Sequence, residues 1–199
     1  TSSIVWEGCV PIFADIDSET FNIDPSLIES LITKKTTAIL ATHVFGNPCS
    51  IDTISKIAKK HKLKVIYDAA HAFGVKYKGK SIFEQGDIST TSFHSTKLFH
   101  TVEGGAIFTR DEELDTKARL MLNFGHQGPE EFKGVGINAK NSEFHAAMGL
   151  SNITYVSDII GKRKIAFNRY MDVLQYMDVR FQKIKPETEF NYSYFPILF

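Results

Sequence analysis

Two residues in this chain could share one reacting centre. Asp68 closes the strand-like run Lys64-Val65-Ile66-Tyr67-Asp68, and Ala69-Ala70-His71 follows it. Lys97 follows the run Ile88-Ser89-Thr90-Thr91-Ser92-Phe93, after His94-Ser95-Thr96. In an open α/β sheet, ligands sit beyond the carboxyl ends of the strands. An acid and an amine would then face one crevice from neighbouring strands. A pyridoxal phosphate enzyme needs that pair: the lysine forms a Schiff base, and the aspartate keeps the pyridine nitrogen protonated so that the ring acts as an electron sink. The same residues also suit a buried salt bridge or two unrelated polar strand ends. Spacing alone leaves these readings open.

The elements that must carry the pair read as alternating strands and helices. Val10 to Asp17 predicts a strand followed by an acidic turn. Asp24 and Pro25 open a helix as N-cap and first helical residue, with Leu27, Ile28, Leu31 and Ile32 on one face. Thr37 to Thr42 is short and nearly all apolar, which predicts a strand buried on both faces. A helix over about Ile51–His61, with Ile54, Ile57 and Ala58 inward, precedes the strand to Asp68. Strands over Ile88–Phe93 and Ala106–Thr109 follow, then a helix from Asp111 carrying Leu114, Ala118, Leu120 and Met121. Residues 125–136 read as an irregular glycine-rich loop. Ser142 to about Met177 reads as helical with a break near Gly161. Val179–Ile184 and Tyr192–Phe199 read as a final strand pair. The β-α-β spacing predicts an α/β fold with a mostly parallel sheet, right-handed crossovers and flanking helices.

Composition narrows the function classes. Lys plus Arg and Asp plus Glu both number 23, so the chain lacks the basic excess of a broad nucleic-acid surface. Hydrophobic residues make up 43%, with 16 phenylalanines, enough for a packed core. Two cysteines, Cys9 and Cys49, form no metal-type cluster and point to a reducing compartment. No signal peptide and no apolar run of bilayer length is visible, so a cytoplasmic location without membrane contact is expected. His94, His100 and His126 fit no standard ligand spacing, and a metal site is rejected. Thr1–Gly8 reads as the tail of a helix stopped by glycine, and Tyr192–Phe199 as a strand cut short, so both ends look internal to a longer fold.

Four segments occur in a telling order: Tyr67-Asp68-Ala69-Ala70-His71-Ala72, Ser92-Phe93-His94-Ser95-Thr96-Lys97, Glu103-Gly104-Gly105, and Gly136-Ile137-Asn138-Ala139-Lys140-Asn141-Ser142 through Leu150. Together they resemble the DegT/DnrJ/EryC1/StrS aminotransferases, which act on nucleotide-linked keto sugars. The resemblance covers nearly the whole chain. It implies the aspartate aminotransferase fold (type I), with residues 1–177 as a large cofactor-binding domain lacking its N-terminal part and residues 178–199 as the start of a small C-terminal α/β domain.

The resemblance also implies roles. Lys97 matches the lysine that holds the cofactor aldehyde and later moves the proton. Asp68 matches the partner of the pyridine nitrogen, a role compatible with capping the segment after its strand. His71 matches a position near the cofactor ring and its phenolic oxygen. Ser92 matches a serine that binds the cofactor phosphate. Asn138 matches an asparagine that reaches the phosphate in the neighbouring subunit, which implies a homodimer with shared sites. Each of these three has a bland alternative: a packed histidine, a serine closing a strand end, a turn asparagine. His43 and His94 are candidates for lining the substrate crevice, and a buried strand-end histidine is an equal reading of His43.

The implied reaction transfers an amino group from L-glutamate to a nucleotide-diphosphate keto-deoxysugar, in ping-pong order. The stretches Asn123–His126 and Asn138–Ser142 look most like enzymes that aminate C4 of a dTDP-4-keto-6-deoxyhexose for O-antigen, capsule or other glycan assembly. Two rivals stay open. Dehydratase relatives carry a histidine in place of the lysine, and Lys97 speaks against that reading. A module that binds the cofactor or a partner without turnover is the other. The phosphate-holding turn that the family supplies upstream, and most of its C-terminal domain, are not in these 199 residues.

Overall fold

The computed structural model describes all of residues 1–199. Helix α1 (Ser2–Trp6) ends at Gly8, whose φ of +70° suits glycine. Helix α2 (Pro25–Leu31) is capped as expected: the Asp24 side chain accepts the Ser26 N–H at 2.8 Å. Strand β1 (Ala38–Thr42), helix α3 (Ile51–His61) and strand β2 (Lys64–Asp68) then form a β-α-β unit. Short strands β3 (Lys76–Tyr77) and β4 (Lys80–Ser81) precede β5 (Ile88–Ser92) and β6 (Gly105–Phe108). Helices α4 (Glu112–Leu122), α5 (Glu143–Ile153) and α6 (Val156–Leu174) follow, and the chain closes with β7 (Arg180–Phe181), β8 (Thr188–Glu189) and β9 (Ile197–Leu198).

The main sheet has the order β1-β2-β5-β6. The first three strands are parallel and β6 runs antiparallel to β5. The α/β architecture and mostly parallel sheet are those expected from the sequence. Helix α3 covers one sheet face. Its Ile51, Ile54, Ile57 and Ala58 join Ile39, Ala41, Val65 and Tyr67 in one buried cluster. Side chains alternate along each strand, so the next residues over, among them Thr42 and Asp68, point to the other face. No helix is long and apolar enough to cross a membrane.

Several expectations are corrected. Val10–Asp17 is no strand. It makes a single antiparallel bridge, Ile16 to Ile23, and Val10 and Phe13 are 81% and 71% exposed. Strand propensity needs a neighbouring strand to pair with, and none lies beside this segment. Strand β1 is apolar on both faces but buried on one: Ile39 is buried and Leu40 is 38% exposed. The helical break falls at Thr154–Tyr155 rather than Gly161. The Thr154 hydroxyl donates to the Ser151 carbonyl at 3.1 Å and competes with the helix ladder, whereas Gly161 stands in open space and lets α6 run on. None of the apolar residues of α4 is buried.

Residues 178–199 are knitted to the body of the sheet domain. Strand β8 pairs antiparallel with β3, and Gln182 donates to the carbonyls of Thr20 at 2.7 Å and Val44 at 3.0 Å. Ile54, with no exposed surface, stands at the centre of the α3 packing. Ile54→Ala is expected to lower stability by about 2–5 kcal/mol, read from the shift of the denaturant midpoint. A loss below about 1 kcal/mol would place the core elsewhere.

Candidate active site

Parallel pairing brings the expected residues to one end of the sheet. Thr42 on β1, Asp68 on β2 and Thr90 on β5 lie in register across three strands. Ser92 lies two residues beyond Thr90 and so on the same face. The connections at this end are short and well bonded. Ala69 donates its N–H to the Thr90 carbonyl at 2.8 Å, and the buried Thr91 hydroxyl returns a bond to the Ala69 carbonyl at 3.2 Å. The segment carrying His71 is thus fastened to the strand leading to Lys97.

Asp68 uses one carboxylate oxygen to accept the Ala70 N–H at 3.0 Å, which caps the turn. Its other oxygen takes no hydrogen bond. Lys97 is half-buried and has neither an ion-pair nor a hydrogen-bond partner for its amine. It sits on a turn in which its own N–H donates to the His94 carbonyl at 2.9 Å. Because Asp68 and Lys97 make no ion pair, the salt-bridge reading of the two residues falls away. His71 lies within the field of both. Burial holds its imidazole below the ordinary value, the Lys97 ammonium pushes it further down, and the Asp68 carboxylate opposes. His71 Nδ1 is buried without a partner.

The remaining candidates divide. Ser92 Oγ accepts the His94 N–H at 3.3 Å, at the strand end. His94 closes the turn before Lys97: its Nδ1 meets the Thr96 hydroxyl at 2.9 Å, and its Nε2 faces Glu103 at 3.6 Å. Asn138 is exposed on the 123–140 excursion, where its Oδ1 accepts from Lys140 at 2.7 Å. Within one chain its side chain makes no hydrogen bond to the other candidates.

His43 does not line the crevice. It is fully buried, its ring stacked 4.6 Å from that of Tyr67, and its Nδ1 accepts the Cys49 N–H at 3.0 Å. The core side of the sheet end claims it because an apolar strand continues into a buried loop. Burial pushes its pKa down to about 3 and the neighbouring Cys49 thiol up to about 12, so both are neutral structural groups.

The sequence reading missed three residues around His71: Phe45, Asn191 and Tyr194. Asn191 donates to the His71 and Phe73 carbonyls, both at 2.9 Å, and the rings of Phe45 and Tyr194 pack beside His71. Two of the three come from more than a hundred residues away. No local spacing could have flagged them.

The whole chain, residues 1–199, matches the model of the DegT/DnrJ/EryC1/StrS aminotransferase family. The chain belongs to that family. A dTDP-4-amino-4,6-dideoxy-D-glucose transaminase of Shigella dysenteriae is 42% identical over 98% of the chain and 54% of its own length. A GDP-perosamine synthase of Caulobacter vibrioides is 36% identical over 92% of the chain and 50% of its own length. Among solved structures, DesI with its TDP-sugar product superposes with a TM-score of 0.91 at 34% identity, over 98% of this chain and 50% of that one. The chain therefore spans about half the length of the relatives it matches.

The residues at the sheet end fit pyridoxal phosphate, the cofactor expected from the sequence resemblance. The fit rests on unused bonding capacity: a carboxylate oxygen, an unpaired amine and a buried imidazole nitrogen at one end of the sheet.

The buried histidine gives a prediction. His43 is neutral in the folded chain down to about pH 3, while an unfolded histidine takes up a proton near its usual 6.5. Its contribution to stability is complete above pH 6.5 and lost as pH falls toward 3, at up to about 1.4 kcal/mol per pH unit. Denaturant unfolding at pH 7, 6 and 5 should show a steeper loss for the natural chain than for His43→Gln. Equal slopes would mean that another group carries the dependence.

Proposed function

We propose that this chain is the cofactor-binding part of an aminotransferase that uses pyridoxal 5'-phosphate to move an amino group from L-glutamate to a nucleotide-linked keto-deoxysugar. The observation that carries the reading is the gathering of Asp68, His71, Ser92 and the unpaired Lys97 at the carboxyl ends of β2 and β5. The transaminase and synthase relatives support the sugar-nucleotide class, and the Shigella enzyme's name favours a dTDP-4-keto-6-deoxyhexose, made for surface polysaccharide.

When bound, the cofactor supplies an electron sink for charge developing at the carbon next to the transferred nitrogen. Asp68 would hold the proton on the ring nitrogen, with its free oxygen as acceptor. Lys97 would hold the cofactor and then, as a neutral amine, carry the proton between the two carbons. Ser92 would bind the phosphate, and His71, neutral at physiological pH, would flank the ring. Asn138, exposed and unbonded to these residues, would serve the site of a second copy in a homodimer.

The test is direct. Pyridoxal 5'-phosphate is added to the purified protein, the visible spectrum is recorded, and borohydride fixes the cofactor to the chain for peptide mapping. Attachment at Lys97 is expected; attachment at another lysine, or none, would sink the reading. With L-glutamate alone, 2-oxoglutarate should appear in amounts equal to the sites, before any sugar is added. Lys97→Ala should reduce turnover by at least about a hundredfold. Asp68→Asn should cost about ten- to a hundredfold, the loss of one charge-assisted hydrogen bond.

A further inference from the structure

No hydrogen bond fixes the His71 ring. Its Nδ1 is buried with no partner, and its side chain bonds to no other group in the chain. The angle of the imidazole is set by packing. Tyr194 supplies the closest ring, 4.5 Å between centroids at 44°, and Phe45 lies 6.0 Å away and within 7° of parallel. Tyr194 and Phe45 also touch each other, at 5.4 Å, so the three rings form a closed triangle. Aromatic pairs at these separations are directional.

Tyr194 reaches this place because Asn191 is nailed down three residues earlier. Asn191 is fully buried. Both amide protons go to the His71 and Phe73 carbonyls, and its Oδ1 accepts the Ser193 N–H at 3.2 Å. The same side chain thus holds the backbone of His71 and shapes the turn that presents Tyr194. Arg163 adds a bond to the Ser193 carbonyl at 3.0 Å. The approach demands a glycine: at Gly46, with φ of +86°, a Cβ would come within 2.8 Å of the His71 carbonyl and 3.0 Å of Asn191 Oδ1.

We infer that Tyr194, seated by Asn191, is a positioning residue that sets the orientation of His71 at the reacting centre through ring packing. The inference rests on His71 belonging to that centre. The charged groups that face the imidazole are Lys97 and Asp68. Loosening the ring triangle would admit water to His71 and free it to rotate. The C-terminal segment would then act on the chemistry without touching the reacting atoms.

The test uses the intact protein, first without cofactor, labelled with ring-13C histidine. The His71 signal is identified by its absence in His71→Gln. In Tyr194→Leu, His71 should titrate about half a unit or more closer to its ordinary value, because desolvation is relieved. Tyr194→Phe keeps the ring and should leave the titration within about 0.2 unit of the natural chain. Asn191→Ala should move it in the same direction as Tyr194→Leu; if that variant does not fold, the Tyr194 pair still decides. In the second stage, pyridoxal 5'-phosphate binding is followed by absorbance. Tyr194→Leu should weaken it about three- to tenfold. In a His71→Gln background the same change should add nothing, as expected of a residue acting through another. An unmoved His71 titration in Tyr194→Leu, or a full additive loss of affinity beside His71→Gln, would overturn the inference. A protein that binds no cofactor would count against the proposed function, and the titration would still decide on Tyr194.

Discussion

Backbone amides and carbonyls that leave water must find partners. The loops beyond the strand ends of this sheet are buried deeply enough to feel that rule. Three asparagines with almost no exposed surface answer it. Asn22 donates to the Asn47 carbonyl at 3.0 Å and accepts the Val44 N–H at 2.9 Å. Asn47 donates to the Lys183 carbonyl at 3.0 Å and accepts the Lys185 N–H at 2.9 Å. Asn191 binds the His71 and Phe73 carbonyls. An amide offers two donors and an acceptor from one short stem, so each can stand in for a missing strand neighbour. Without them the loops after β1 and β2 would carry orphaned polar groups, and the site they frame would have no fixed shape.

On this scaffold, position follows from the two-residue period of a strand. Val65 and Tyr67 turn toward α3, which commits Asp68 to the opposite face. A slip of one residue would exchange the acid with Tyr67 and bury a carboxylate in the apolar cluster. The register of β2 against β1 and β5 is therefore set by the same burial that builds the core. Stability and the placement of the acid share one cause here.

The parts legible in the sequence are those with local signals. Helix α3 shows its apolar stripe, Asp24 and Pro25 announce α2, and Asp68 and Lys97 stand at the ends of runs that read as strands. The order of short motifs points to the family. What could not be read depends on distant partners. The Val10–Asp17 segment has the composition of a strand but no neighbour to pair with. His43 follows β1 as a crevice residue would, yet Tyr67 and Cys49 draw it inward. Asn191 and Tyr194 lie in a stretch that reads only as a short strand. Their work is visible once the chain has folded back on His71.

The reversal of β6 has a further consequence. Because β6 runs antiparallel to β5, residues 93–104 leave and re-enter the sheet at the same end. The excursion is drawn shut like a noose: Phe93 donates to the Gly104 carbonyl at 2.8 Å, and Thr101 donates to the Phe93 carbonyl at 2.9 Å. A parallel continuation would have carried the chain away to the far edge. Lys97 is instead held at a point whose main chain has nowhere to drift. The mobile part is the four-carbon stem of its side chain. In the proposed exchange, with its two half-reactions, the amine would return to the same atom after each product departs. A tethered arm on that closed loop would give it a high local concentration there, with a search confined to a few rotors.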